Sequence, residues 1–261
     1  MSSQIDQQEL LEKKFGVLSE LAVLLMQSGA NTKRVIDNMN RFAEALDLKS
    51  YALISHKSVI ITIKTVTKPH YSYTNVRQIP SYKINFYLIS EISRLSWIAR
   101  EEKWTCDQIE RKLSYFKLQK SYPFLPTALL VSLSGAAFAK LFGGDMQSMI
   151  IAFAATFSGM IMAYLATKKH LNPYFKTYLA SLTASIIASL GILMEMGDKP
   201  HIALATSVLF LVPGVPLINS FNDLYNNHIL NGSVRFISGL MTVLFIGLGL
   251  ITAMVLFHTK L

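Results

Sequence analysis

The chain has 261 residues, 51% hydrophobic and 16% charged, with a formal net charge of +9, whereas a soluble domain carries about 25% charged residues. From Phe124 onward it holds only seven Lys or Arg and four Asp or Glu. This excludes a single soluble globular domain and a disordered chain, and the lone Cys106 excludes a disulfide scaffold or a cysteine-based metal site. The start, MSSQIDQQELLEKK, has no apolar h-region, so no cleavable signal peptide is expected.

Residues 1–120 are predicted to form a compact α+β domain. Gln8–Gln27 has an apolar helical face through Phe15, Leu18, Ala22 and Leu25, stopped by Ser28-Gly29. Asn31 is placed to cap a second helix with the stripe Val35, Met39, Phe42 and Leu46. Tyr51–Ser55 and Ser58–Thr65 are β-rich and joined tightly through His56-Lys57, and Tyr71–Thr74 adds a third strand. A helix is expected over Ser81–Arg100 with Ile84, Leu88, Ile92 and Leu95 inward. Thr105-Cys106-Asp107-Gln108 then reads as a capping box opening a last helix towards the membrane.

Residues 121–261 are predicted to be an all-α bundle of five transmembrane helices, with spans at about 124–142, 146–166, 175–195, 200–219 and 235–258. If all five cross, Arg111, Lys112, Lys117, Lys120, Lys168, Lys169, Lys176 and Arg235 share one side, against Lys140, Lys199 and Lys260 on the other. Cationic loops stay in the cytoplasm, so the N-terminal half is expected there and the C-terminus outside, in a cell inner membrane. The third span carries a small-residue ladder, Thr177, Ser181, Ser185 and Ser189 beside Ala180, Ala184 and Ala188, which reads as close helix packing. Glu195 at its outer end reads as solvated.

The most informative segment is Leu211-Val212-Pro213-Gly214-Val215-Pro216-Leu217-Ile218-Asn219. Proline removes a backbone donor and clashes with the carbonyl four residues back. Two readings stand side by side: a broken helix forming a substrate site, as in many transporters, or a proline kink near a span end wetted by interfacial water. A polar run follows, from Asn219 to His228, then Asn231-Gly232 and Arg235. Taken singly, most of these residues read as a solvated cytoplasmic loop, with Arg235 as a topology anchor. Asp223 is the exception, because it follows the break so closely. The candidate substrate-binding set is Pro213, Gly214, Pro216, Asn219, Asp223 and Arg235, with Asp223 suited to an ammonium or a proton and Arg235 to a carboxylate. No histidine pair has metal-ligand spacing, no phosphate loop occurs, and Cys106 reads as a helix-cap filler. The reading is therefore no enzyme, no cofactor, no metal and no nucleic acid.

The stretch LLMQSGANTKRVIDNMNRFAEAL, followed by SHKSVIITIKT, resembles the N-terminal cytoplasmic part of the threonine/serine exporter family. PGVPLINSFNDLYNNHILNGSVRF resembles that family's signature after its fourth membrane helix. The resemblance covers roughly residues 10–257 and is closest to the split form, in which a five-span subunit works with a small all-membrane subunit. It implies roles for Gly29, Arg34, Pro213, Gly214, Pro216, Asn219, Asp223, Gly232 and Arg235. The chain departs from the family where Ile36 follows the Arg-Val pair in place of Glu, and at Asn226-Asn227. The family includes amino-acid exporters and, among split members, a succinate exporter, so the resemblance implies export of small polar metabolites without choosing between them. The expectation is one subunit of a secondary exporter acting with a small all-membrane partner in the lipid bilayer, a homo-oligomer being the other way to complete the pathway. The alternative is a non-transporting membrane sensor or scaffold whose cytoplasmic domain binds a metabolite.

Overall fold

The computed structural model describes residues 2–55, 57–67, 70–81, 83–118 and 122–259. His56, Lys120 and Lys260, on which the hairpin and the charge bias partly draw, lie outside them. The chain forms two compact units, Met1–Lys120 with Val215–Ile237, and Ser121–Gly214 with Ser238–Leu261.

In the first unit, α1 (Ser2–Ser28) and α2 (Thr32–Ala45) precede an antiparallel sheet of β1 (Leu48–Ile54), β2 (Ser58–Thr65) and β3 (Ser72–Gln78), in that order. α3 (Phe86–Glu101) and α4 (Cys106–Leu118) follow. The apolar faces read from the sequence make the core: Phe15, Leu18, Ala22 and Leu25 of α1 and Val35, Met39 and Phe42 of α2 are buried, with Leu46 just past its end. Strand alternation puts Val59, Ile61 and Ile63 inside and leaves Ile60 and Lys64 exposed. Asn31 caps α2, its Oδ1 accepting the Arg34 N–H at 2.8 Å. The capping box also forms, with the Thr105 N–H donating to Gln108 Oε1 at 2.7 Å and the Gln108 N–H to Thr105 Oγ1 at 3.4 Å. Cys106 sits half-buried at the head of α4, where loss of solvent pushes its thiol up rather than down.

β1 begins at Leu48, ahead of the expected Tyr51, and two further elements differ from the expectation. β3 runs on to Gln78, because its whole length pairs with β2. α3 starts at Phe86 instead of Ser81, because the Asn85 side chain caps it, accepting the Leu88 N–H at 3.0 Å. Ile84 therefore precedes the helix and is 45% exposed, while Leu88, Ile92 and Leu95 are buried as read.

The second unit holds α5 (Phe124–Leu141), α6 (Met146–Lys168), α7 (Pro173–Leu193), α8 (Pro200–Ser207) and most of α10 (Ile229–Phe257). Among the described residues four helices, α5, α6, α7 and α10, are long and apolar enough to cross a membrane. A fifth span exists if the broken pair Pro200–Leu211 and Gly214–Tyr225 counts as one. The fourth expected span is thus not a continuous helix. α8 has eight residues, about 12 Å of rise, and passes through a 3-10 turn (Leu209–Leu211) to extended Val212. At the opposite end of α8, Asp145 ties two loops together: its Oδ1 accepts the Ser148 N–H and its Oδ2 the Asp198 N–H, each at 2.8 Å. The Ser148 hydroxyl and N–H, with the Asp198 N–H, hold its carboxyl down at about 2.

The ladder on α7 is fully buried at Ala180, Ser181, Ala184, Ser185, Ala188 and Ser189. It packs α10 at short range. Ser181 Oγ donates to the Ile246 carbonyl at 2.7 Å, and a Cβ on Gly249 would lie 2.8 Å from the Leu182 nitrogen and the Tyr178 carbonyl oxygen. Backbone atoms cannot step aside as a side chain can. Gly249→Leu is therefore expected to force α7 and α10 apart and cost about 1–3 kcal/mol or more, the range for overpacking. A lowered thermal midpoint in detergent, with Gly247→Leu as the tolerated control, checks this, since nothing lies within 4 Å of a Cβ at Gly247.

Candidate functional site

The site grows from the end of α1. Gly29, at φ 97°, closes the helix in the left-handed conformation that favours glycine. The Ala30 N–H returns to the Leu25 carbonyl and the Gly29 N–H to the Met26 carbonyl, a Schellman closure. The turn leaves the carbonyls of Gly29 and Ala30 outside any helix, and α2 begins at Thr32 with its first N–H groups free of helical partners.

Residues from the other end of the chain meet these groups. α9 (Gly214–Tyr225) and the start of α10 form an elbow closed by Asn227 at φ 61°, with the His228 N–H bonded to the Asp223 carbonyl. Asparagine is among the few residues with a side chain that tolerate this geometry. Ser220 Oγ donates to the Gly232 carbonyl at 2.8 Å, and a Cβ on Gly232 would lie 2.6 Å from Leu224 Cγ, so the two helices touch there. From this elbow Asn219 Nδ2 donates to the Gly29 carbonyl at 2.7 Å, and Arg235 Nη2 to the Ala30 carbonyl at 3.0 Å. Asp223 Oδ1 accepts the Thr32 N–H at 2.8 Å and Oδ2 accepts the Thr32 hydroxyl at 3.0 Å. Asn231 Nδ2 donates to Thr32 Oγ1 at 3.0 Å, completing the cluster.

Asp223 is 0% exposed and Arg235 5%. Arg235 Nη1 lies 3.3 Å from Asp223 Oδ2, near enough for an ion pair. Its N–H does not point at that oxygen, however, and among the described residues Nη1 has no hydrogen-bond partner. The guanidinium is thus held by one nitrogen and neutralised by a carboxylate, with one buried donor left over. The carboxylate lies at the N-terminus of α2, where the helix dipole favours negative charge.

Of the six residues expected to bind substrate, the structure brings Asn219, Asp223 and Arg235 together. Pro213, Gly214 and Pro216 shape the head of α9 instead. Pro213 directly precedes the helix, and Pro216 sits in its first turn, where a missing N–H costs nothing. Among the described residues none of the three bonds to the cluster. Arg34 is exposed and contributes only its backbone N–H to the cap of α2. Ser220 and Asn231 belong to the polar run that reads singly as loop, while Thr32 carries no functional signal of its own in the sequence. Thr32 makes two bonds to Asp223, and its only sequence signal was its place directly after a glycine stop and an asparagine cap. Among the described residues no group of His, Cys, Asp and Glu could hold a metal ion.

These apolar helices describe a multi-pass membrane protein. The chain belongs to the threonine/serine exporter family (ThrE), whose sequence profile matches residues 17–257. It is 30% identical over 229 residues to the protein named "Probable succinate transporter subunit YjjP" of Escherichia coli K12, covering 86% of this chain and 87% of that one. It is 28% identical over 243 residues to the protein of the same name in Klebsiella aerogenes, covering 92% and 93%. It is 28% identical over 205 residues to a threonine/serine exporter of Corynebacterium glutamicum, covering 72% of this chain but 40% of that protein. No solved structure matches. The two stretches that carry the family resemblance, around Gly29–Thr32 and around Asn219–Arg235, are the two that meet in the cluster.

Proposed function

We propose that this chain is one subunit of a secondary exporter of small carboxylate-bearing metabolites, either threonine/serine-type amino acids or succinate-type dicarboxylates, and that it works with a small all-membrane second subunit. The names of its relatives support both substrate classes. The observation that carries the reading is the buried Arg235, paired with Asp223 yet with Nη1 unbonded. A substrate carboxylate can take that donor without displacing the bond to Ala30. For an amino acid, the Asp223–Arg235 pair opens around the zwitterion, Asp223 meeting the ammonium and Arg235 the carboxylate. For a dicarboxylate, Asp223 must be protonated or turned aside, since two carboxylates cannot share the position while both are charged. Pro213, Gly214 and Pro216 act by breaking the span ahead of this site. The test is efflux of labelled threonine and succinate from vesicles that hold the chain with its membrane partner. Efflux of neither, at verified membrane insertion, removes the proposal.

A five-span path is supported by parity. The α9–α10 elbow bonds to the α1–α2 turn, so both lie on one side of the bilayer. α5, α6 and α7 make three crossings between them, so the α8 segment completes a fourth and α10 a fifth. With the Lys and Arg bias, this puts the N-terminal half in the cytoplasm and the C-terminus outside. A cysteine at position 57 on a Cys106→Ser background is expected to resist an impermeant maleimide in intact cells and to react after permeabilisation. Labelling in intact cells would reverse the orientation.

A further inference from the structure

We infer that the segment leading into α3, Lys83–Tyr87, is an interfacial anchor that rests on anionic lipid headgroups. Ile84, Phe86 and Tyr87 are 45%, 59% and 55% exposed, while the following Leu88 and Ile89 are buried. Large apolar and aromatic side chains beside a lysine are the composition that settles at a membrane–water boundary.

The position of the segment within its unit fits this. The Lys83 N–H bonds to the Gln27 carbonyl and the Asn85 N–H to the Ser28 carbonyl, both at 2.9 Å. The next two residues, Gly29 and Ala30, are those gripped by Asn219 and Arg235. Arg235 is the last charged residue of α10 before an uncharged run through Phe257, so it marks where that helix enters the bilayer. The anchor thus lies a few hydrogen bonds from a side chain at the boundary. Lys57, whose carbonyl accepts the Ile79 N–H at 2.8 Å, stands at the end of the sheet from which the chain leaves β3 and runs on to Lys83.

Charge fixes which surface is met. Between Asp47 and Glu91 the chain has no Asp or Glu, but it carries Lys49, Lys57, Lys64, Lys68, Arg77 and Lys83. A stretch of one sign is attracted to anionic headgroups within a Debye length. A nucleic acid would answer the charge as well, but α10 already holds this end of the domain at a lipid surface.

The test uses the full chain with Cys106→Ser and a polarity-sensitive dye on Ser90→Cys, an exposed position one turn beyond Phe86 that leaves the anchor intact. The protein is placed in nanodiscs of phosphatidylcholine alone or mixed with phosphatidylglycerol, with nitroxide on a fraction of the headgroups. Strong quenching is expected in the anionic discs, weaker quenching in the neutral ones, and none for a dye on Glu101→Cys, about 16 Å further along the helix. Lys57→Glu with Lys83→Glu should weaken docking by about fivefold for each charge removed, and Phe86→Ser with Tyr87→Ser should abolish it at unchanged circular dichroism. Equal quenching at positions 90 and 101 in anionic discs overturns the inference. So does shielding of position 90 from a water-soluble quencher by an added RNA oligonucleotide but not by anionic lipid.

Discussion

Asp223→Ala is expected to cost about 3–5 kcal/mol, the loss seen when one partner of a buried ion pair is removed. The substitution leaves Arg235 charged at 5% exposure with no neutralising carboxylate. It also takes the acceptor from both the N–H and the hydroxyl of Thr32. Arg235→Ala is expected to do similar damage from the other side, stranding Asp223 and freeing the Ala30 carbonyl. Such losses would mask any transport role, so the informative variants are milder. Asp223→Asn keeps one oxygen for Thr32 but turns a donor toward Arg235. If the substrate is an amino acid, efflux of labelled threonine should fall strongly. If it is a dicarboxylate, succinate efflux should be spared or raised, because the competing charge is gone. Arg235→Gln should impair both. The double variant Asp223→Leu with Arg235→Met replaces the pair by apolar groups, a change that is often neutral or stabilising. It removes the stranded charge but still leaves the Thr32 N–H and hydroxyl and the Ala30 carbonyl without partners, so it should recover only part of the thermal midpoint while transport stays lost. Melting measured in detergent and efflux measured at equal membrane expression together separate holding the turn from binding the substrate. Wild-type efflux by both single variants would remove these two residues from the proposed site.

The chain reconstituted alone is expected to lose labelled substrate no faster than protein-free vesicles, with efflux appearing when the small membrane subunit is added. Alternating access is generally built from two related halves that rock about a central site, and the proposed five spans would offer one such half. The match to the Corynebacterium exporter covers only 40% of that longer protein, leaving ample chain there for a second half. Succinate and threonine efflux from single-component and two-component vesicles decides the matter. Robust efflux from the single component would instead assign the second half to another copy of this chain, which cross-linking of that preparation would show as a dimer.

The secondary structure was legible where a local rule governs it. Helix faces follow from apolar spacing, so Leu18, Leu25, Val35 and Met39 are inside as read. Caps follow from short-range donors and acceptors, so Asn31 and the Thr105–Gln108 box form within three residues of sequence. Apolar periodicity extends back to Ile84 and so predicts an earlier start for α3, whereas the cap belongs to Asn85. Pro213 and Pro216 mark the break in the fourth span, but hydropathy averages over a window and does not place its start, a 3-10 turn at Leu209–Leu211 and extended Val212.

The candidate site divides in the same way. The sequence by itself determined the membrane character, the glycine stop at Gly29, the proline break and the residue types available around it, since each depends on neighbours in the chain. It suggested an ammonium partner in Asp223 and a carboxylate partner in Arg235 on a polar loop. Only the tertiary structure decided that both are buried, that they face each other, and that Thr32 lies between Asp223 and Asn231. The Thr32–Asp223 contact joins residues 191 positions apart. No periodicity or cap rule reaches that far. The contact exists because a closed helix end presents bare carbonyls and amides that must be satisfied once buried, and the α9–α10 elbow carries side chains that satisfy them.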